Sequence, residues 1–324
     1  MRVVVIGAGA IGAPIAARLF EHRLPVSLVA RAKNFEVIAR DGVTIATPER
    51  TQTSRVDVVN GISSLTLEHG DAVMLCVKSQ DTTHALEELV RIAPSELSVF
   101  CAQNGVANER AVSQHFTNTY GVCVMSPASY LEPGRIEVFS SPVIGVLDVG
   151  RWPTGVDDTA FELSKMLDDA GFASMATTDI ETLKWGKLLS NILNALEVLC
   201  GPGALSDELA DRVRNEARLC LTAHGVDVAK ATSLAEARSR LVNYQPIGSI
   251  RRVGSSSWQS VLRGSGSVET DYLNGEIVDL GRRYGIGTPV NELLQRRANE
   301  MARQVRAPGS VSIAELRDEL RSKL

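Results

Sequence analysis

Near its start the chain reads Gly7-Ala8-Gly9-Ala10-Ile11-Gly12, directly after the apolar run Arg2 to Ile6 and directly before a stretch with helical spacing. At a first strand-to-helix turn, glycines at this spacing have separate uses. Gly7 permits the tight turn, Gly9 lets backbone amides approach a pyrophosphate, and Gly12 allows the helix to pack closely on the strand. The phosphates then lie at the positive end of the helix dipole. Gly7, Ala8, Gly9, Ala10, Ile11 and Gly12 are therefore read as a dinucleotide-binding loop. An acidic residue about 20 positions further on would bind a ribose hydroxyl and mark NAD. The second apolar run ends instead in Val29-Ala30-Arg31. A cation there pairs with a 2′-phosphate, with Lys33 near enough to help, so NADP(H) is expected over NAD(H).

A second constellation is Trp185-Gly186-Lys187-Leu188-Leu189-Ser190-Asn191-Ile192-Leu193-Asn194-Ala195-Leu196. In one continuous helix Asn191 lies about 40° and Asn194 about 20° from Lys187, which gives a polar stripe on an otherwise apolar rod. A lysine and two asparagines in such a helix need partners or a wet cleft. One reading is a cleft between domains where the lysine meets substrate and, partly desolvated, acts as a general acid. An ordinary solvent-facing stripe fits the segment equally well. Glu269 reads by itself as a first-turn helix carboxylate, and Ser255-Ser256-Ser257-Trp258-Gln259 as a polar loop. Lys78 and Asn104 each follow a buried apolar run, where open α/β sheets bind their ligands. Asn104-Gly105 is also a common turn pair.

These residues are positioned by two kinds of chain. Apolar runs at Arg2 to Ile6, Val26 to Val29, Ala72 to Val77 and Val99 to Ala102 alternate with helical spacing at 12–21 and 82–92. That alternation predicts a parallel sheet covered by helices. Short runs at 121–125, 135–139 and 143–149 are expected to add antiparallel strands at its edge, followed by a helix over 161–170. Beyond residue 179 helical periodicity takes over, at 180–199, 206–224, 227–241, 267–284, 290–305 and 312–322. The expected architecture is an α/β, Rossmann-type domain with a mostly parallel sheet over 1–178, then an all-α substrate domain over 179–324.

Composition narrows the function classes. The 324 residues are 44% hydrophobic and 22% charged, which suits two globular domains. A net charge of −4 disfavours nucleic acid as the ligand. No apolar stretch reaches the about 20 residues of a membrane span, and the N-terminal run is too short for a signal peptide. Cys76, Cys101, Cys123, Cys200 and Cys220 show no metal-ligand spacing; they are expected to be reduced thiols, and no metal site is expected. The protein is expected in the cytoplasm, acting on a small molecule without membrane or nucleic acid. A homodimer is open to the helical half, but no heptads specify one.

In order along the chain, the glycine loop, Arg31, Val77-Lys78-Ser79, Gln103-Asn104-Gly105-Val106, Trp185-x-Lys187-Leu188-x-x-Asn191, Ser255-Ser256-x-x-Gln259, Glu269-x-Asp271-Tyr272-Leu273-Asn274-Gly275 and Tyr284-Gly285-Ile286-x-x-Pro289-Val290-Asn291 resemble the ketopantoate reductase (2-dehydropantoate 2-reductase) family over nearly the whole chain. The resemblance implies NADPH-dependent reduction of 2-dehydropantoate to pantoate, in pantothenate synthesis. It implies Lys187 as general acid, Glu269 orienting the lysine or binding a substrate hydroxyl, and Asn104 contacting cofactor and substrate. Asn191 and Ser256 would fix hydroxyl and carboxylate groups, and Lys78 would help close the cofactor site. Departures gather at the substrate end. Position 195, where the family has an asparagine, is alanine, and Asn194 stands one residue early as its replacement. The interval from the serines to Glu269 is one residue longer than in the family pattern, around Gly264-Ser265-Gly266, Trp258 replaces a smaller methionine, and Phe139-Ser140-Ser141-Pro142 lacks a glycine-rich form. They motivate a second expectation, a paralogous NADPH-dependent reductase of another 2-oxo acid. A third, a non-catalytic NADP-sensing protein, is opposed by the presence of both Lys187 and Glu269.

Overall fold

Val3 and Val5 enter one apolar core while Val4 and Ile6 enter another, each at most 1% exposed. A strand buried on both faces has no polar side, which is why this run does not alternate. Each such residue contributes about 1.5–3 kcal/mol by leaving water. In a computed structural model, which describes residues 1–322, this strand (β1, Val3–Ile6) lies inside a seven-stranded sheet.

The first half runs β1, α1 (Gly12–Glu21), β2 (Val26–Ala30), α2 (Ala32–Asp41), β3 (Val43–Ala46), β4 (Thr51–Ser54), β5 (Val58–Asn60), β6 (Ala72–Leu75), α3 (Thr82–Leu89), β7 (Ser98–Cys101), α4 (Ala107–Val112), β8 (Asn118–Met125), β9 (Ala128–Glu132), β10 (Arg135–Val138), β11 (Val146–Arg151) and α5 (Asp158–Asp169). The main sheet has the order β11-β8-β7-β6-β1-β2-β5. Its neighbours from β5 to β8 are all parallel, and β11 joins β8 antiparallel at the edge. This is the doubly wound order of dinucleotide-binding folds, and its direction reverses between β1 and β6.

The expected antiparallel edge is correct for β11 alone. β8 is the sixth parallel strand, and β10 belongs to a second, four-stranded sheet of order β4-β3-β10-β9. The reason is visible in β10, where Ile136 and Val138 are buried while Arg135 is exposed. A strand buried on one face suits a small separate sheet, not the interior of a doubly covered one.

The second half is helical: α6 (Ile180–Asn191), α7 (Asn194–Cys200), α8 (Glu208–Ala223), α9 (Val228–Ser239), α10 (Ser256–Leu262), α11 (Asn274–Tyr284), α12 (Pro289–Arg303) and α13 (Ile313–Arg321). None of these helices is long and apolar enough to cross a membrane. The chain forms two compact units, Met1–Glu181 with Glu236–Arg252, and Thr182–Ala235 with the chain from Val253 onward.

Within the first unit, the segment 236–252 is fastened by a fork of hydrogen bonds from Arg238 to fully buried Asp148, at 2.6 Å each, and by a bridge between Ser140 and Tyr244. Within the second, the segment after Pro308 closes the end of α7. The Gly309 and Val311 amides donate to the Val198 and Leu199 carbonyls at 2.8 and 3.0 Å. α13 then starts on a capping box formed by Ser312 and Glu315.

Two expected helices and one expected loop differ in detail. The single helix over 180–199 is two, α6 and α7, separated by a turn at Ile192 and Leu193. The helix over 267–284 is a 3-10 turn, Glu269–Tyr272, followed by α11, because Leu273 leaves helical geometry at φ −116° and ψ −85°. The polar loop at Ser255 to Gln259 is instead the start of α10. Ser255 is its N-cap, with its hydroxyl accepting the Trp258 amide at 3.4 Å.

Candidate active site

The first unit supplies a loop whose shape depends on the absence of side chains. Gly7 has φ +110°, and a Cβ there would lie 2.8 Å from the Val77 amide nitrogen. A Cβ on Gly12 would lie 2.0 Å from the Gly7 carbonyl oxygen and 2.9 Å from the Cys76 and Val5 side chains. A Cβ on Gly9 would meet nothing within 4 Å. Two of the three glycines are thus required by packing and the third faces open space. α1 begins without a side-chain cap and without an acidic residue in its first turn. No side chain therefore occupies the positive end of this helix, and the pyrophosphate of a dinucleotide fits this loop.

Arg31 is the N-cap residue of α2, exposed at the carboxyl end of β2. Among the described residues its guanidinium makes no ion pair. Lys78 follows β6 and Asn104 follows β7; both are half-buried. A buried polar network joins their two loops. Gln103 donates to the Val77 carbonyl at 3.0 Å and to the Thr82 hydroxyl at 2.7 Å. The Thr82 hydroxyl donates to Asn108 Oδ1 at 2.8 Å, and Asn108 Nδ2 donates to Ser79 Oγ at 3.2 Å and the Asn104 carbonyl at 3.3 Å. Asn34 likewise braces the glycine loop. Its Nδ2 donates to the Ala8 carbonyl at 2.8 Å, and its Oδ1 accepts the Gly134 amide at 3.0 Å. Asn34, Thr82 and Asn108 were not among the expected site residues. Nothing local marks them, since each acts through a partner distant in sequence.

In the second unit, Lys187 lies on α6 among Trp185, Gly186 and Leu188, all buried, and is itself half-buried. A Cβ on Gly186 would lie 2.0 Å from the Ala231 carbonyl oxygen, so α6 and α9 touch backbone to backbone beside the lysine. Trp185 meets the His224 ring edge-on at 5.6 Å, and His224 Nδ1 is 2.9 Å from the Tyr284 hydroxyl. Lys187 Nζ reaches Ser190 Oγ at 3.5 Å, and that hydroxyl donates to the Lys187 carbonyl at 2.8 Å.

Asn191 shares α6 with Lys187 and is buried. Asn194 is the first residue of α7, beyond the break, so its place is not given by continuous helix arithmetic. Ala195 is 1% exposed and packs in the core. Ser256 opens α10, whose start is held by Glu197 of α7 through a 3.0 Å bond from the Ser255 amide. Trp258 lies against the backbone of Gly254 and Gly309, where an added Cβ would stand 2.3 and 3.4 Å from its ring. Glu269 is buried on its 3-10 turn. Two buried polar atoms near it, Thr270 Oγ1 and Asn274 Oδ1, have no hydrogen-bond partner among the described residues. Each orphan costs about 1–3 kcal/mol, a cost most readily kept where function requires it.

Comparison with known proteins adds to this geometry. Residues 3–153 match the model of the family described as ketopantoate reductase PanE/ApbA, and residues 179–302 match its C-terminal counterpart. The chain is similar to the 2-dehydropantoate 2-reductase of Pyrococcus horikoshii, 25% identical over 306 residues, covering 91% of this chain and 95% of that one. It is 26% identical to the Archaeoglobus fulgidus protein of the same name, covering 90% and 95%. Among solved structures, a PanE/ApbA family ketopantoate reductase from Ralstonia eutropha superposes with a TM-score of 0.77 at 25% identity, covering 94% of this chain and 99% of that one. A D-mandelate dehydrogenase in ternary complex with NADH and anilino(oxo)acetate shares the fold, with a TM-score of 0.79 at 19% identity and coverage of 94% and 99%.

Proposed function

Since the chain belongs to the ketopantoate reductase family, we propose that it reduces 2-dehydropantoate to pantoate with NADPH. The observation that carries this reading is that both halves match the family while Lys187 and Glu269 are both present at the positions the motifs assign. Gly9, facing open space, and the uncapped start of α1 would hold the pyrophosphate. Arg31, with no carboxylate beside it at the strand end, would hold the 2′-phosphate. Lys78 and Asn104 would complete the binding of the cofactor, Asn104 also touching substrate. When bound, the reduced nicotinamide supplies the hydride that reaches C2 of the substrate.

The chain supplies the proton and the charge. The Lys187 ammonium protonates the C2 oxygen, and before transfer its charge offsets the negative charge developing there. Glu269 orients the lysine or accepts from a substrate hydroxyl. Asn191, Asn194 and Ser256 hold the hydroxyl and carboxylate groups, which keeps the ketone in register with the acid.

A second reading, reduction of another 2-oxo acid by the same chemistry, is favoured by Ala195 and Trp258, where this chain departs from the family pattern. The deciding experiment follows NADPH oxidation by the purified protein with 2-dehydropantoate and a panel of other 2-oxo acids. Preferential turnover of 2-dehydropantoate supports the first reading, and turnover of another member alone replaces it with the second. Tight NADPH binding with no turnover of any member overturns both in favour of a sensor.

A further inference from the structure

Asn274 and Asn291 are fully buried polar residues to which the proposed chemistry assigns nothing. Asn274 opens α11, immediately after the turn that carries Glu269. Its Nδ2 donates to the Ile192 carbonyl at 2.9 Å and to Asn291 Oδ1 at 3.0 Å. Ile192 is the residue at which α6 gives way to α7, just beyond Lys187 and Asn191 and just before Asn194. Asn291, in the first turn of α12, donates through Nδ2 to the Val213 carbonyl at 3.2 Å and to Glu216 at 2.8 Å. Glu216 of α8 also accepts the Val290 and Asn291 amides at 2.9 Å each, and so caps α12 from a neighbouring helix.

These bonds run without a break from half-buried Glu216 on α8 through fully buried Asn291 on α12 and Asn274 on α11 to the break in the lysine helix. Its last member ties two segments that bear the proposed chemistry. Ile192 follows Lys187 by the same sequence step as Asn274 follows Glu269, so the amide of Asn274 bonds the far end of one segment to the far end of the other. The unpartnered Oδ1 of Asn274 fits this use, since the residue is seated by its two donated bonds and not by satisfaction of the whole side chain.

We propose that Asn274, Asn291 and Glu216 are positioning residues, a polar strut that holds open the break at Ile192 and thereby fixes where α6 presents Lys187 relative to the Glu269 turn. The assignment of what they position rests on the reductase reading, and the strut itself does not.

The test uses the full chain carrying Asn274→Ala and, at the far end, the milder Glu216→Gln. Three quantities are measured: NADPH-binding sites per chain, kcat and KM per binding site, and reductive methylation of Lys187 relative to exposed Lys165, read by peptide mass spectrometry. For Asn274→Ala the expected result is NADPH affinity within twofold of wild type, a kcat at least tenfold lower, a smaller change in KM, and a Lys187-to-Lys165 labelling ratio changed at least threefold. Glu216→Gln is expected to move the same quantities in the same directions by less. Loss of kcat only in proportion to lost NADPH-binding sites, with an unchanged labelling ratio, reduces the strut to a folding element and overturns the proposal. So does a kcat per site within twofold of wild type. Should the wild type turn over no 2-oxo acid, the reductase reading fails. The labelling ratio then decides the strut alone, a changed ratio sustaining it and an unchanged ratio overturning it.

Discussion

Gly12 in the first unit and Gly186 in the second stand at the same kind of contact: a Cβ on either would lie 2.0 Å from a carbonyl oxygen. The carbonyls differ in origin. Gly12 meets Gly7, a member of its own loop, whereas Gly186 meets Ala231 on another helix. The cofactor end is thus shaped by a short contiguous stretch of backbone set on the sheet. The lysine end is assembled from α6, α8, α9, α11 and α12, through hydrogen bonds and contacts between residues far apart in sequence. In the proposed reading, backbone shapes the cradle for the pyrophosphate, while side chains decide which substrate reacts and how fast.

The largest expected effect tests the side-chain half of this contrast. Lys187→Ala should lower kcat by about 100- to 10,000-fold, the usual range for a lost general acid, with NADPH affinity within twofold. Near-normal turnover would remove the mechanism. The backbone half is tested by a pair. Gly9→Ala should fold as wild type, since its methyl meets nothing, yet bind NADPH at least about tenfold more weakly, or about 1.4 kcal/mol, because that methyl enters the phosphate space. Gly12→Ala should instead lose thermal stability together with binding. Equal behaviour of the two would mean that the loop is not partitioned into packing and cradle. Arg31→Ala sharpens the cofactor end further: NADPH affinity should fall about tenfold and NADH affinity stay unchanged, and equal losses would show that Arg31 does not read the 2′-phosphate.

The smallest effect concerns Glu216. Burial pushes its carboxyl above the ordinary 4.5, against the opposing amide bonds of Val290 and Asn291. The folded state therefore binds that proton more tightly than the unfolded state. Stability from this group is fullest below the ordinary value and is lost as pH rises through the raised one. The melting temperature of wild type minus that of Glu216→Gln should decrease across that window, and a flat difference would mean that the carboxyl is not desolvated in solution.

The same contrast explains what was legible in the sequence. The glycine loop and the strands around it lie in contiguous runs whose pattern reports burial directly. β4, read as Thr-Gln-Thr-Ser, and α2, which buries only Ile38, carry too little apolar pattern to be seen. The return of 236–252 to the first unit depends on Arg238 finding Asp148, which no composition shift announces. At the lysine end, Lys187, Glu269 and Ser256 could be named from motifs, but the break that separates Lys187 from Asn194 could not. It coincides with a bond between residues 82 positions apart. Ser255 before Trp258 did offer a local signal, the N-cap of α10, that the reading of the segment as a loop passed over.

The match to the family's C-terminal counterpart stops at residue 302, yet the last carbonyls of α7 are met by Gly309 and Val311. For anyone trimming the chain for expression or appending a tag, the boundary of the family likeness is therefore the wrong place to cut. A truncation there would leave the helix that begins with Asn194 and holds the start of α10 through Glu197 frayed at its far end, so that an edit at the tail would loosen the seat of Ser256, which the proposed reading places on the substrate.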